Sequence, residues 1–310
     1  MLLFDKEEQL IKGIVFNIEH YHINDGTGIR TNVFLKGCNL WCPWCCNPES
    51  QKFNPQMVIH RKMCIGCGTC QSVCPTGAVL QDDFGNRFID MSKCTLCGLC
   101  MQKCLSSAIE QYGEEKSVAD VMVEVEKDSA YYTESDGGMT LSGGEPCLQP
   151  EFARALAEAC NKRYIHVSME TALAVPWATL WRVAEKVDQI LADVKFTDPE
   201  QFKTICSEPV DLIKDNLKKL REKGKHVVMR CPIIPTLNDN DGHIEKLIEW
   251  AKELDIKDVD LLPFHQLGKY KYTSLGYVYT MDEFKEIDKT VVEKMRDRMA
   301  EHGLNVIVGG

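Results

Sequence analysis

Hydrophobic and polar residues follow two rhythms along this chain. Near the start, "IVFNIEHYH" and "TNVFLKG" have the short, β-branched and aromatic character of strands, separated by the turn-forming "NDGTGIR". From residue 117 onward a helical period and short apolar runs take turns. Apolar residues at 118, 121, 122 and 125 predict a helix in "SVADVMVEVEKDSAYY", with Ser117 placed to cap it. "MTLSGG", "YIHVSMET", "QILADVKF", "HVVMRCPII", "VDLLPF" and "LNVIV" read as strands. Between them "QPEFARALAEACNKR", "WATLWRVAEK", "VDLIKDNLKKLREKG" and "GHIEKLIEWAKEL" read as helices. Pro150 suits the first turn of its helix, and Gly224 suits the end of another. The last helix is expected to fill "MDEFKEIDKTVVEKMRDRMAEHG" (281–303), with Phe284, Ile287, Val291 and Met295 on one face and Gly303 as its stop.

Such alternation predicts βαβ units and a parallel sheet. With the strand near 31–36 there are about six or seven units, short of the eight that close a barrel. The expected fold is therefore α/β, an open partial (β/α) barrel. Chemistry in parallel α/β sheets gathers at the C-terminal strand ends. Cys38, "SGGEP", Glu170 with Thr171, "ADVK", Arg230 and His265 follow successive strands, so this architecture brings them to one face.

Composition narrows the chemistry. The 310 residues are 44% hydrophobic, enough for a sizeable core, and carry a net charge of −10. Such a surface disfavours nucleic acid and anionic membranes as partners. No apolar run is long enough for a membrane span. The start, "MLLFDKEEQLIKGIVF", places acidic residues directly after a short apolar run, unlike a signal peptide. A reducing cytoplasmic setting is expected, and there the sixteen cysteines are better suited to metals than to disulfides. Eleven of them fall into three clusters between residues 38 and 104. Cys46, Cys147, Cys160, Cys206 and Cys231 are scattered and read as small buried thiols, Cys46 least securely because it adjoins Cys45.

Two of the clusters are halves of an internal repeat, "CIGCGTCQSVCPTGAV" and "CTLCGLCMQKCLSSAI". Cys64, Cys67, Cys70 and Cys74 form C-x2-C-x2-C-x3-C followed by Pro75; Cys94, Cys97, Cys100 and Cys104 repeat the spacing with Leu105 in the proline's place. This is the bacterial two-cluster ferredoxin pattern, in which the fourth cysteine crosses over. One cluster is then held by Cys64, Cys67, Cys70 and Cys104, the other by Cys94, Cys97, Cys100 and Cys74. Two structural zinc sites are the alternative, disfavoured by a repeated spacing without histidine. The third cluster, Cys38, Cys42 and Cys45 in "GCNLWCPWCC", has three thiols and no fourth of matching spacing. By analogy with catalytic zinc, a missing protein ligand leaves a position for another group. Cys46 reads as a neighbour rather than a ligand, because successive side chains diverge along an extended chain.

"CNLWCPWC" resembles the radical SAM signature. With "DGTGIRTNVFLKGCNLWCPWCCNPES", "SDGGMTLSGGEPCLQP" and "LLPFHQLGKYKYTSLG", the chain from about residue 14 to 308 resembles the activating enzymes of glycyl radical enzymes. The ferredoxin repeat resembles the branch serving glycyl radical dehydratases, decarboxylases and lyases. The resemblance implies a radical SAM partial barrel in two parts, 1–58 and 113–310, around a ferredoxin-like insert at 59–112. It implies three [4Fe–4S] clusters, one of which binds S-adenosylmethionine (SAM) at an open iron held by Cys38, Cys42 and Cys45. Reduction then cleaves SAM to methionine and a 5′-deoxyadenosyl radical, which takes a hydrogen from a glycine Cα of the partner enzyme. The electron donor implied is a flavodoxin or a ferredoxin, and the two ferredoxin-type clusters either relay electrons or dock the partner.

The resemblance also assigns residues. Gly143, Gly144 and Glu145 match a GGE motif against the SAM amino group. Asp193, Val194 and Lys195 match a strand-end D-x-K. Arg230 matches an arginine near the SAM carboxylate, and Lys195 and Arg230 are carried over as catalytic. His265 matches a histidine near SAM, and Trp44 and Cys46 flank Cys45 on the adenine side. Glu170 stands where the pyruvate formate-lyase branch has an aspartate in a monovalent cation site. "TICSEPVDLI" departs from the family's usual Thr-Gly-Val stretch, and Cys147 is an unusual residue after "GGEP". Two other functions remain open: a radical SAM enzyme acting on a small molecule or peptide, and a ferredoxin-type electron carrier on an α/β support.

Overall fold

The computed structural model describes residues 6–206 and 210–309. In chain order its strands are β1 (Lys12–His22), β2 (Arg30–Leu35), β3 (Gln56–Ile59), β4 (Val79–Gln81), β5 (Arg87–Ile89), β6 (Ile109–Tyr112), β7 (Glu114–Ser117), β8 (Gly138–Gly143), β9 (His166–Thr171), β10 (Gln189–Asp193), β11 (His226–Ile233), β12 (Asp258–Pro263) and β13 (Asn305–Val308). Nine form one sheet in the order β13-β12-β11-β10-β9-β8-β2-β1-β7. From β2 through β13 every neighbouring pair is parallel, while β1 runs antiparallel to both β2 and β7. The parallel strands follow one another without reversal, as in a barrel wall, and β13 and β7 stand at opposite edges. The sheet is the expected partial barrel, open on one side.

The local signals explain most element ends. Ser117 and Asp120 close a capping box that starts the helix Val118–Val125. Pro150 opens the helix Pro150–Asn161, where a missing N–H costs nothing. Gly224 and Gly303 adopt φ of +75° and +81° just beyond the helices Val210–Glu222 and Lys289–Glu301. Helices cover the parallel strands through Met122, Leu156, Leu180, Leu217, Leu247 and Met299, all buried. Among the described residues no helix is long and apolar enough to cross a membrane.

Two expected helices are corrected. The final one begins at Lys289, not near 281, because Asp288 caps it by accepting from the Thr290 amide at 2.8 Å. Before it, the Phe284 carbonyl accepts from the Gln266 side-chain amide at 2.6 Å, and Phe284 and Ile287 still pack on the core from an irregular segment. The helix after Ser117 is interrupted by a 3-10 turn at Glu126–Asp128 before resuming at Ser129–Ser135. There the buried Asp128 side chain accepts from the Thr31 hydroxyl at 2.5 Å and contacts His20. The helix Pro199–Cys206 ends inside the divergent "TICSEPVDLI", whose residues 207–209 lie outside the described residues.

"NDGTGIR" does more than turn. Asp25 accepts from the Asn32 side chain at 2.5 Å and from Arg230 at 3.0 Å, and its carbonyl accepts from the Thr140 hydroxyl. A Cβ on Gly26 would stand 2.6 Å from the Ser168 hydroxyl, and one on Gly28 only 2.3 Å from the Ser135 carbonyl. The loop closely packs the barrel interior from the end where the parallel strands begin.

Residues 56–112 build their own small core. β3 pairs with β6 and β4 with β5, both antiparallel. Met57, Ile59, Val79 and Ile109 pack there with Cys70 and Cys100 in a cluster separate from the main core. Each repeat turns through a left-handed glycine, Gly68 or Gly98, into a helix of four residues.

Candidate active site

The loop that carries Cys38, Cys42 and Cys45 leaves β2 at Gly37, whose φ is +100°. Backbone hydrogen bonds pin it: Gly37 N–H donates to Ser50 O (2.7 Å), Cys38 N–H to Gln51 O (3.2 Å), and Cys45 N–H to Cys42 O (3.1 Å). Buried Lys36 donates to the Glu49 carbonyl at 2.5 Å and to Gln56 at 3.1 Å. From the other side, Tyr272 donates to the Cys45 carbonyl at 3.0 Å, and Lys271 pairs with Glu49 at 2.5 Å. Gly268 lies so close that a Cβ there would stand 2.9 Å from the Cys46 Cα. The "GKYKY" stretch thus braces the cysteine loop.

Cys38, Cys42, Trp44, Cys45, Cys46, Gly143, Gly144, Glu170, Asp193, Lys195 and His265 line one cavity of about 230 Å³ at the C-terminal strand ends. Asn47, Ser50, Thr171, Ala172, Pro232, Ile234 and Leu262–Phe264 complete it. Most of these follow a strand end, a signal that could have found them. One part of the wall is charged, and Leu40, Trp44, Ile234, Leu262 and Phe264 are apolar. The lining suits an amphipathic ligand with a zwitterionic end and a flat ring. A roomier hollow of about 900 Å³ lies beside Gly137 and His166, at the opposite end of the strands; no cysteine lines it.

Glu145, Val194 and Arg230, assigned to the SAM site from sequence, do not line this cavity. The fully buried Glu145 carboxylate accepts from Thr171 (2.9 and 3.0 Å), the Ala172 amide (3.0 Å) and the Cys147 amide (3.1 Å). It joins the ends of β8 and β9. Val194 is in the core, its N–H donating to the Arg230 carbonyl. Arg230 is engaged by Asp25 at 3.0 Å and Glu170 at 2.8 Å, while its Nε is buried without a partner among the described residues. Glycines at 143 and 144 are demanded by the chain itself. A Cβ would lie 2.4 Å from the Leu35 amide nitrogen or 2.1 Å from the Gly37 carbonyl oxygen.

Charges at the site are paired. Lys195 meets Asp193 at 2.8 Å. Burial opposes the charge on Lys195, but Asp193 and the Cys42 sulfur outweigh it and raise its pKa. Burial raises the Glu170 carboxyl, although Arg230 pulls the other way. Burial also pushes the Cys38 thiol up to about 12 and Cys45 well above its ordinary range. Contact with Cys206, then burial, does the same for Cys42. Protons on these sulfurs must be displaced when metal binds. His265 Nε2 stands 3.8 Å from Cys46 Sγ, at the exposed edge.

In the small module, Cys64, Cys67, Cys70 and Cys104 line one cavity and Cys74, Cys94, Cys97 and Cys100 another. Each set takes its last cysteine from the opposite repeat. Burial opposes ionisation of Cys74, but donors from Thr76 and backbone amides bring its thiol to about 7. Among the described residues no three His, Cys, Asp or Glu side chains close on a point as tightly as a single-ion site requires. All three cysteine sets instead surround cavities, and soft sulfur donors fit an iron–sulfur cluster.

The Radical SAM superfamily matches residues 89–258, and a 4Fe-4S dicluster domain matches residues 56–105. The first match begins after Cys45 and does not itself span the three-cysteine loop. Whole-length relatives do. An indoleacetate decarboxylase activating enzyme from Tractidigestivibacter scatoligenes is 36% identical over 97% of this chain and 99% of its own. A (2S)-3-sulfopropanediol dehydratase activating enzyme from Klebsiella oxytoca is 39% identical over 96% and 97%. A crystal structure of a domain of pyruvate-formate lyase-activating enzyme from Bacteroides vulgatus covers 56% of this chain and 99% of its own, at 26% identity and a TM-score of 0.48.

Proposed function

Because the chain belongs to the radical SAM superfamily and, within it, to the activating enzymes of glycyl radical enzymes, we propose that Cys38, Cys42 and Cys45 hold its SAM-binding [4Fe–4S] cluster and that the adjoining cavity receives SAM. Bound together, cluster and SAM supply a one-electron cleavage that gives methionine and the 5′-deoxyadenosyl radical used to take a hydrogen from a glycine Cα of the partner enzyme. The observation that carries this reading is the convergence of three buried or half-buried cysteines on the cavity that Gly143, Gly144, Asp193, Lys195 and His265 also line.

The chain's own residues have distinct tasks in this reading. Lys195 and Asp193, already paired, offer a cation and a carboxylate to a zwitterionic amino acid end. Trp44, its ring edge-on to Phe196 at 5.5 Å, gives a rigid apolar wall on the nucleoside side, next to Cys46. Glu145 acts by holding Thr171 and Ala172 in place, and Arg230 by neutralising Glu170 and Asp25. The open sheet leaves the strand-end face accessible to a polypeptide loop, which a closed pocket would not admit.

We take residues 1–58 and 113–310 as the two parts of the barrel and 59–112 as the ferredoxin-like module, with β3, which pairs with β6 of that module, leading into it from Gln56. That module holds two further [4Fe–4S] clusters through the crossed cysteine sets, and a flavodoxin or ferredoxin supplies the electron. Anaerobically reconstituted protein should contain about twelve irons in three four-iron clusters and make 5′-deoxyadenosine from SAM and dithionite. Cys42→Ala should lose about four irons and all cleavage. About eight irons in the parent protein with no cleavage would instead describe an electron carrier.

A further inference from the structure

Cys206 lies on the segment where the sequence departs from its family, and among the described residues it is the scattered buried cysteine whose thiol meets a thiol of the three-cysteine loop. Its Sγ is 3.7 Å from Cys42 Sγ, and both side chains are buried. By contrast, Cys160 meets the thioethers of Met122 and Met139, and Cys147 meets the thioether of Met169 and the side chains of Glu145 and Thr171. The helix Pro199–Cys206 delivers Cys206 to this position, anchored by fully buried Phe202 against Phe196. Phe196 in turn abuts Trp44 in the cysteine loop. The approach is thus fixed from both sides.

Between two free thiols either sulfur can donate. Iron ligation removes the choice: a ligating Cys42 is a thiolate and can only accept, so the S–H must belong to Cys206. Cys45 has a comparable donor, since the Asn47 backbone N–H reaches its sulfur at 3.4 Å. Hydrogen bonds to cluster sulfurs favour the more negative, reduced state and so raise the reduction potential. We propose that Cys206 donates a hydrogen bond to the Cys42 sulfur in the loaded enzyme and thereby tunes the reduction potential of the SAM-binding cluster. This deepens the reading of the three-cysteine loop and rests on it. Cys206 is a tuning residue: it does not touch SAM, the glycine or iron.

The test is a reductive titration of the holoenzyme followed by electron paramagnetic resonance, using the signal that changes when SAM is added. Cys206→Ala should keep its full iron content but reduce less readily. At a fixed potential its ratio of reduced to oxidised cluster should fall about tenfold, which is about 59 mV for a one-electron couple. Cys206→Ser, whose hydroxyl can still donate, should recover most of that loss. Cys206→Val keeps the core filled without a donor and should behave like Ala even if the smaller side chain loosens packing. Unchanged potentials in Ala and Val, with a SAM-responsive signal present, overturn the proposal and leave the SAM-site reading standing. Loss of about four irons in all three variants also overturns it, because Cys206 would then be a ligand. A parent protein with no SAM-responsive signal overturns both.

Discussion

Arg230 is the residue whose removal should do the most structural harm at the site. It is 4% exposed and stands between Asp25 and Glu170. Arg230→Met leaves two partly buried carboxylates facing each other without a cation. Breaking a buried ion pair from one side costs ~3–5 kcal/mol, and the urea midpoint of unfolding should fall accordingly. The double variant Arg230→Met with Glu170→Gln should recover part of that loss, as a double-mutant cycle reports for coupled charges; purely additive losses would contradict the pairing. The sequence makes Arg230 visible as a strand-end cation but does not reveal its partners. Asp25 is more than two hundred residues away, in a loop that reads locally as a turn. The partners of Glu145 are hidden for a similar reason. A carboxylate after two glycines suits an ammonium, yet the fold surrounds it with donors from the next strand end. The glycines themselves separate two kinds of constraint. Gly144→Ala puts a methyl against the Gly37 backbone and should cost ~1–3 kcal/mol by overpacking, with weaker cluster retention in the adjoining loop. Gly224→Ala meets nothing within 4 Å but must hold φ of +75°, so it should cost only about 1 kcal/mol and leave iron content unchanged. Urea midpoints and iron assays on the two variants distinguish these outcomes.

Among the elements, the helix Asp241–Glu253 carries a buried histidine whose setting the sequence hides. His243 packs inward, with Nδ1 3.0 Å from the Thr197 hydroxyl and Nε2 buried without a partner among the described residues. Burial lowers its pKa to about 4. Between pH 6.5 and 4 the unfolded chain takes up a proton here that the folded chain refuses, so stability falls as pH falls. The loss should reach roughly 3 kcal/mol and level off below pH 4. His243→Gln should flatten this limb of the stability profile measured by urea unfolding; an unchanged slope would mean that another group titrates there. Apolar periodicity found the elements that cover the sheet, because packing against a sheet is what creates that period. It overran at both corrected helices, where Gln266, Asp288 and Asp128 redirect the backbone through side-chain hydrogen bonds that carry no periodic signal. It also passed over the short helix Lys269–Leu275, which braces the cysteine loop through Lys271 and Tyr272 rather than through a broad apolar face.

At the scale of the whole molecule, an open barrel carries one cluster site at its strand ends and a separate module with two cysteine sets. The spacing matches the two-cluster ferredoxin pattern, in which the fourth cysteine crosses over, and each crossed set lines one cavity. Cys104→Ala should therefore remove the cluster of the first repeat, lowering the count from about twelve irons to about eight, with the SAM-responsive signal retained. Loss of the second repeat's cluster instead would mean that the pairing is uncrossed. The parallel order and the strand-end location of the site were legible because βαβ units permit few arrangements. The loop that fills the barrel interior from the far end, and the approach of Cys206 to Cys42, were not, because both are long-range contacts with no local pattern. The central claim is that the cluster on Cys38, Cys42 and Cys45 keeps one iron free for SAM. Electron paramagnetic resonance of the reduced, iron-replete protein, recorded with and without SAM, tests it most directly. The account predicts that SAM alters the signal of one cluster and leaves the other two unchanged; spectra identical in both samples would contradict it.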